Sequence, residues 1–168
     1  MGGNTDSSPA PVPTTTAAIL AGSVLAGAIL SISIISIPVL VETNNDPTLL
    51  LSQWARLYGY GVKIMPASAI ATLLLHAFSG ITNVRASRPW RVYGVAAATT
   101  ISIAPFTWLV MAPTNARLFE LNAAGAAGAA GGLSLTEVHE LLERWRWLNI
   151  ARSLFPLAGA IWAATGPP

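Results

Sequence analysis

Four apolar runs, each close to the roughly 20 residues a helix needs to cross hydrocarbon, constrain this chain more than any other feature. They cover residues 17–41, 64–84, 92–112 and 147–165. Each is unbroken rather than alternating, and a backbone in lipid must satisfy its polar groups within the segment, so helices are favoured over strands. Composition agrees: 53% of the 168 residues are hydrophobic and 10% charged, with a mean hydropathy of +0.57. A soluble domain carries about 25% charged residues. The expected fold is all-α, an integral membrane four-helix bundle with both termini on the same side. Its expected location is multi-pass in an intracellular membrane.

The flanking segments read differently from the spans. Residues 1–16 are rich in Gly, Ser, Thr and Pro and carry no Lys or Arg. They are expected to be a disordered tail rather than a signal peptide, which needs a basic n-region. Residues 17–165 then form a single four-span domain. Within it, 49–58 is expected to be a short interfacial helix, 123–132 a mobile Gly/Ala linker, and 136–146 a helix continuing into the fourth span. Ser134 or Thr136 would cap that helix. Small residues mark helix contacts in lipid, and the first run carries two such faces: Ala18, Gly22 and Ala26, and beside them Ser23, Gly27 and Ser31. Pro66, Pro105 and Pro156 are expected to kink the other three spans.

Several chemistries are disfavoured at once. Without cysteine there is no disulfide framework and no thiolate site. His76 and His139 do not make a ligand set, and no glycine-rich loop ends in Lys-Ser or Lys-Thr. The sequence pI is about 9.5, yet the cations stand singly among apolar runs, so nucleic acid is not an expected partner. Arg85, Arg88 and Arg91 make the second loop the most densely basic, but the first and third loops carry more cations in total. The charge rule therefore leaves orientation open.

With four spans, the first and third loops share one face. Asn44, Asn45, Trp54, Asn115, Arg117, Glu120, Arg144 and Trp145 are then expected to converge around the mouth of the bundle. The segment from Pro113 to Glu120 packs an amide, a guanidinium and a carboxylate directly behind an apolar run. On the fourth helix Trp145, Asn149, Arg152 and Pro156 fall on one stripe. Arg152 lies ~7 to 8 Å inside its span at 1.5 Å per residue. A charge at that depth either turns to the interior with a partner, for which Glu120 is the candidate, or snorkels to the interface. His76 lies ~18 Å deep on the same count, near the midplane. Imidazole suits proton abstraction near neutrality, although a histidine bonded to a neighbouring helix is the competing reading. Amides, an arginine, tryptophans and one histidine together suggest binding an aromatic acid and moving a proton.

The order and spacing of Asn44-Asn45-Asp46-Pro47, Trp54, Gly61 and Pro66, then Pro113-Thr114-Asn115-Ala116-Arg117-Leu118, then Arg144 to Arg152, resemble the fungal anthrone oxygenases and their wider domain family. The resemblance covers most of residues 17–165. It implies oxidation of a small aromatic polyketide, an anthrone, to its anthraquinone, with dioxygen as co-substrate and no flavin, haem or metal cofactor. It further implies His76 as base, Asn149 and Arg152 as oxyanion partners, Trp54 and Trp145 as stacking walls, and Asn44, Asn115 and Arg117 at the mouth. Membrane lipid is an expected partner, and a homo-oligomer is compatible with the pattern. The alternative from another class is a noncatalytic membrane subunit or scaffold that binds a protein or lipid.

Overall fold

The structure, a computed structural model, describes residues 12–128 and 132–166. Among them the chain forms four long helices and no strand. The first, α1 (12–43), is α-helical over Val12–Ser31, π-helical over Ile32–Ser36 and α-helical again over Ile37–Thr43. The second, α2, is the continuous helix Pro47–Arg85. The third, α3 (91–126), joins Arg91–Ile101, Ile103–Phe106, the π-helical Thr107–Met111 and Ala112–Ala126. The fourth, α4, is Leu135–Ala164.

Local chemistry explains where these helices start and bend. Asp46 caps α2 by accepting from Thr48 N–H at 2.9 Å, with Pro47 in the first turn. Ser134 caps α4 by accepting from Glu137 N–H at 3.3 Å. The π turn of α1 has a traceable cause. Ile37 N–H bonds Ile32 O, and Pro38 has no N–H to offer, so the Ser33 carbonyl is left without a helical donor. Arg146 of α4 takes that place, its Nε donating to Ser33 O at 3.1 Å.

The boundaries differ from the expected ones in three places. Residues 12–16 already belong to α1, whereas the remainder of the tail lies outside the described residues. The 49–58 segment is the first part of α2 rather than a separate helix, because nothing between Asp46 and Arg85 breaks hydrogen bonding except Pro66, which α2 absorbs. The Gly/Ala stretch is helical as far as Ala126, since alanine is the strongest helix former and outvotes the glycines there. Residues 129–131 are outside the described part.

Each helix packs against its neighbours in the cyclic order α1, α2, α3, α4 and back to α1. Small residues set the closest approaches. A Cβ on Gly22 would stand 3.2 Å from Pro156 O and 3.3 Å from Ala160 Cβ, and one on Gly159 would stand 2.6 Å from Thr100 Oγ1. Of the two small faces of α1, the one with Ala18, Gly22 and Ala26 is buried, and Ser23, Gly27 and Ser31 face outward. At the end holding the first and third loops, an apolar cluster of Ile37, Leu50, Leu51, Trp54, Met111, Leu118, Leu121, Val138, Leu142 and Trp145 closes the bundle. At the other end Ile19 and Val92 pack around Tyr93, Ala96 and Ala163, which places the start of α1 beside the end of α4.

Three helices, Thr14–Thr43, Pro47–Arg85 and Arg91–Ala126, are long and apolar enough to cross a membrane. The chain is therefore membrane-associated. At 1.5 Å per residue α2 is about 58 Å long, roughly twice the hydrocarbon thickness, so the loop 1 and loop 3 end of the bundle extends beyond it. Helix α4 is not among the three, because Asn149, Arg152 and Pro156 leave its stretch 147–164 too polar, although Arg152 is the one charge there. Its packing along α1 and α3 holds it in the bundle instead.

Candidate active site

A cavity of about 620 Å³ lies between the closed ends, and all four helices line it. Its walls are mostly apolar: Leu25, Ile29 and Ile32 of α1, Leu57 to Leu73 of α2, and Ile101, Ile103 and Ala104 of α3. The polar groups are few and sit towards the loop 1 and loop 3 end. They come from Tyr58, Asn115, Trp145 and Arg152, with Thr100 and Thr107 lower on α3. Both threonine hydroxyls donate to helix carbonyls, Thr100 to Ala96 O at 2.9 Å and Thr107 to Ile103 O at 2.8 Å. A volume of this size suits a fused aromatic molecule held mainly by apolar contact with a few oriented donors.

The donors are fixed by a short chain of hydrogen bonds through α4. Trp145 Nε1 donates to Asn115 Oδ1 at 2.9 Å, so the Asn115 amide nitrogen is the part left to the cavity. Asn149 is fully buried. Its Nδ2 donates to Ser33 Oγ at 2.8 Å and to Ile29 O at 3.2 Å. Its Oδ1 accepts from Arg152 at 2.5 Å. A side-chain amide has two N–H donors, and α1 takes both. Asn149 therefore cannot donate to a substrate oxygen, which corrects its expected role; it holds the guanidinium. Beyond its bond to Asn149, the Arg152 guanidinium lines the cavity, while its Nε is buried without a hydrogen-bond partner among the described residues.

The other expected site residues are distributed as follows. Trp54 is completely buried in the apolar cluster and is absent from the cavity wall. It meets Trp145 edge-on at 6.1 Å and Phe119 at 5.0 Å, so it supports the wall from behind. Tyr58 and Phe119, in contact at 5.1 Å, are the aromatic faces that do line the cavity. Asn44 ties the end of α1 to α2, donating to Leu40 O at 2.7 Å and to Gln53 Oε1 at 3.1 Å. Arg117 lies outside, paired with Glu137 at 2.7 Å and Glu120 at 2.9 Å. Those hydrogen bonds, Glu137's first, raise the Arg117 pKa above its ordinary value. Glu120 is thus the partner of Arg117 and not of Arg152, because it sits at the exposed third-loop end one turn after Arg117. The expected open mouth is instead a packed core with these polar residues around its rim.

His76 is buried on α2 but does not line the cavity. It lies just beyond Leu73, on the α2 face that also carries Thr72, Ser79 and Asn83, all buried. Neither ring nitrogen has a hydrogen-bond partner among the described residues. No group of three or more His, Cys, Asp or Glu that could hold a metal occurs among the described residues.

The sequence profile described as anthrone oxygenase matches residues 54–162, a stretch that contains the α2, α3 and α4 walls of this cavity. The chain belongs to the anthrone oxygenase family. The anthrone oxygenase AgnL2 of Paecilomyces divaricatus is 45% identical over 157 residues, covering 91% of this chain and 96% of the relative. The anthrone oxygenase ptaC of Pestalotiopsis fici is 48% identical, over 74% of this chain and 89% of its own length. The noranthrone monooxygenase of Aspergillus flavus is 36% identical, over 91% of this chain and 72% of that protein. No solved structure matches the chain.

Against this family background the residues that sequence reasoning missed are informative. Ser33 and the Ile29 carbonyl, which hold Asn149, looked like ordinary span residues. A polar serine five positions before Pro38 was the available signal, since proline removes the donor that a π turn would need. Tyr58 and Phe119 gave no signal, because an aromatic near a membrane boundary reads equally well as an interfacial anchor.

Proposed function

We propose that this protein oxidises a polyketide-derived anthrone to the anthraquinone with dioxygen, in a multi-pass position within an intracellular membrane. The observation that carries the proposal is the cavity of about 620 Å³ in which the Arg152 guanidinium and the Asn115 amide are the oriented donors. Family membership supports it, since relatives similar over most of their length bear the names anthrone oxygenase and noranthrone monooxygenase.

The substrate ring system packs against Tyr58 and Phe119, with its carbonyl oxygen towards Arg152 and Asn115. Loss of a methylene proton turns that carbonyl into an enolate oxyanion. Two fixed donors in an apolar, water-poor cavity stabilise the developing charge far more than water would. The electron-rich enolate gives an electron to dioxygen, and recombination forms a carbon–oxygen bond at the former methylene. Protonation of the peroxide and loss of one water leave the quinone carbonyl. Anthrone plus dioxygen thus gives anthraquinone plus water, with the removed proton returned to the peroxide.

The acceptor assigned to that proton is His76. Its ring nitrogens, buried and without a hydrogen-bond partner among the described residues, support the assignment, and it stands about one helical turn beyond Leu73 of the cavity wall. The chemistry needs no metal or organic cofactor, because the enolate itself is the reductant. The test is aerobic conversion of an anthrone by membranes containing the protein, with and without a metal chelator and beside boiled membranes. Faster conversion than in boiled membranes, unaffected by chelation, is expected. Equal rates in native and boiled membranes would refute the activity, and loss under chelation would refute its independence of metal.

A further inference from the structure

The cavity is closed along the bundle axis and open across it. Towards the first and third loops, Leu51, Trp54, Leu118 and Leu142 are each 0% exposed and Trp145 only 3%, a packed roof without a channel. Towards the other end, the close contacts of Gly159 with Thr100 and Ala96 leave no room for even a methyl group, and those of Gly22 with Pro156 and Ala160 leave only a tight one. The side wall between α2 and α3 is different. Val62 and Ile70 of α2, and Ile101 and Trp108 of α3, line the cavity and are also 49%, 58%, 54% and 74% exposed. Residues that touch the interior and the outer surface together mark an opening.

The backbone explains why the opening falls there. Helix α3 packs on α2 along Arg91–Ile101 and again along Ala112–Ala126, and between them it makes at most marginal contact. That middle part holds the break after Ile101, Pro105 and the π-helical Thr107–Met111. Pro66 of α2 faces it across the cavity. Ile101, Ala104 and Trp108 stand three and four residues apart, so they form a single stripe along the rim. The outer surface around the rim is apolar, with Leu109 77% exposed. Such a surface at the depth of a candidate span faces hydrocarbon rather than water.

We infer that Val62, Ile70, Ile101, Ala104 and Trp108 frame a lateral portal through which a flat, apolar aromatic substrate enters from the bilayer and the product returns to it. The portal rests on the proposed function for the identity of its cargo. It also gives the membrane location a purpose: an anthrone dissolved in lipid reaches Arg152 without crossing the packed roof, and the enolate forms away from bulk water.

The test measures association and release of an anthraquinone by the full-length protein in lipid nanodiscs, alongside anthrone turnover. Ile101→Trp and Ala104→Trp narrow the rim and are expected to slow both association and release about tenfold, because a gate changes rates while affinity follows the unchanged interior. Trp108→Ala is expected to speed both. Leu109→Trp, on the same helix but outside the cavity wall, is the control expected to change neither. Unchanged rates in both narrowing variants would overturn the portal, as would a change confined to affinity, which would mean cavity filling alone. If the unmodified protein fails to turn over anthrone yet the narrowing variants still slow anthraquinone exchange, the portal stands and the assigned activity falls. Normal turnover with unaffected exchange has the reverse meaning.

Discussion

Arg152 is the residue on which the proposed chemistry turns. Removing one preorganised donor to a developing oxyanion costs on the order of 10²–10³ in turnover, so Arg152→Gln is expected to lose that much, with substrate binding less affected. Arg152→Lys should recover part of the rate, as it restores charge but not the guanidinium that reaches both Asn149 and the cavity. Asn149→Ala is expected to act through Arg152. It removes the acceptor at 2.5 Å and the amide donor to the Ser33 hydroxyl and the Ile29 carbonyl, which keeps only the Ser33 hydroxyl as a side-chain donor at 3.3 Å, so both stability and turnover fall. His76→Ala should lower turnover by about 10² or more, the scale of general base catalysis. His76→Gln, which fills the space without titrating, is expected not to rescue it. Rescue by glutamine would assign His76 a packing role. Arg117→Ala, at the solvated rim, should leave turnover nearly unchanged, because exposed ion pairs contribute little.

At the scale of the helices, close approach decides stability. Gly159→Ala would place a methyl 2.6 Å from Thr100 Oγ1 and 2.9 Å from the Ala96 carbonyl, and a backbone carbonyl cannot step aside cheaply. Overpacking of this kind costs about 1–3 kcal/mol, so the variant should unfold at lower temperature in detergent. Gly22→Ala meets its nearest atoms at 3.2 and 3.3 Å and is expected to be milder. A reversed order would contradict the packing described. Helix periodicity made part of this legible. The Ala18-Gly22-Ala26 stripe and the Trp145-Asn149-Arg152 stripe both follow from residue spacing; the first is buried as a continuous face, and the second is buried at Trp145 and Asn149 with Arg152 half-buried against the cavity. What spacing could not supply was the partner. Glu120 was the plausible carboxylate for Arg152 only while the length of α3 beyond Pro113 was unknown. The second small face, Ser23-Gly27-Ser31, has the same pattern as the first and faces outward, since pattern alone does not say which neighbour is present.

For the molecule as a whole, four helices closing on themselves create an interior that no single segment encodes. Apolar run lengths made the all-α bundle legible, together with the shared face of the first and third loops. The cavity was not, because it arises where α3 bows away from α2, and a proline and a π turn in one helix do not reveal the course of another. The loop face accordingly holds a packed roof in place of the expected mouth, with Trp54 inside it. Trp145→Phe probes that roof. It deletes the bond to Asn115 and leaves a buried carbonyl oxygen unpaired, a loss of about 1–3 kcal/mol, and it frees the Asn115 amide to rotate, so turnover should fall along with stability.

The central claim is that Arg152, held by Asn149 inside the cavity, stabilises an anthrone enolate that then reacts with dioxygen. The most direct measurement is aerobic anthrone consumption by membranes containing the unmodified protein or Arg152→Gln at equal expression, each corrected for the boiled sample. The predicted result is rapid quinone formation by the unmodified protein and a rate at least about a hundredfold lower for Arg152→Gln. Equal corrected rates for the two would contradict the account.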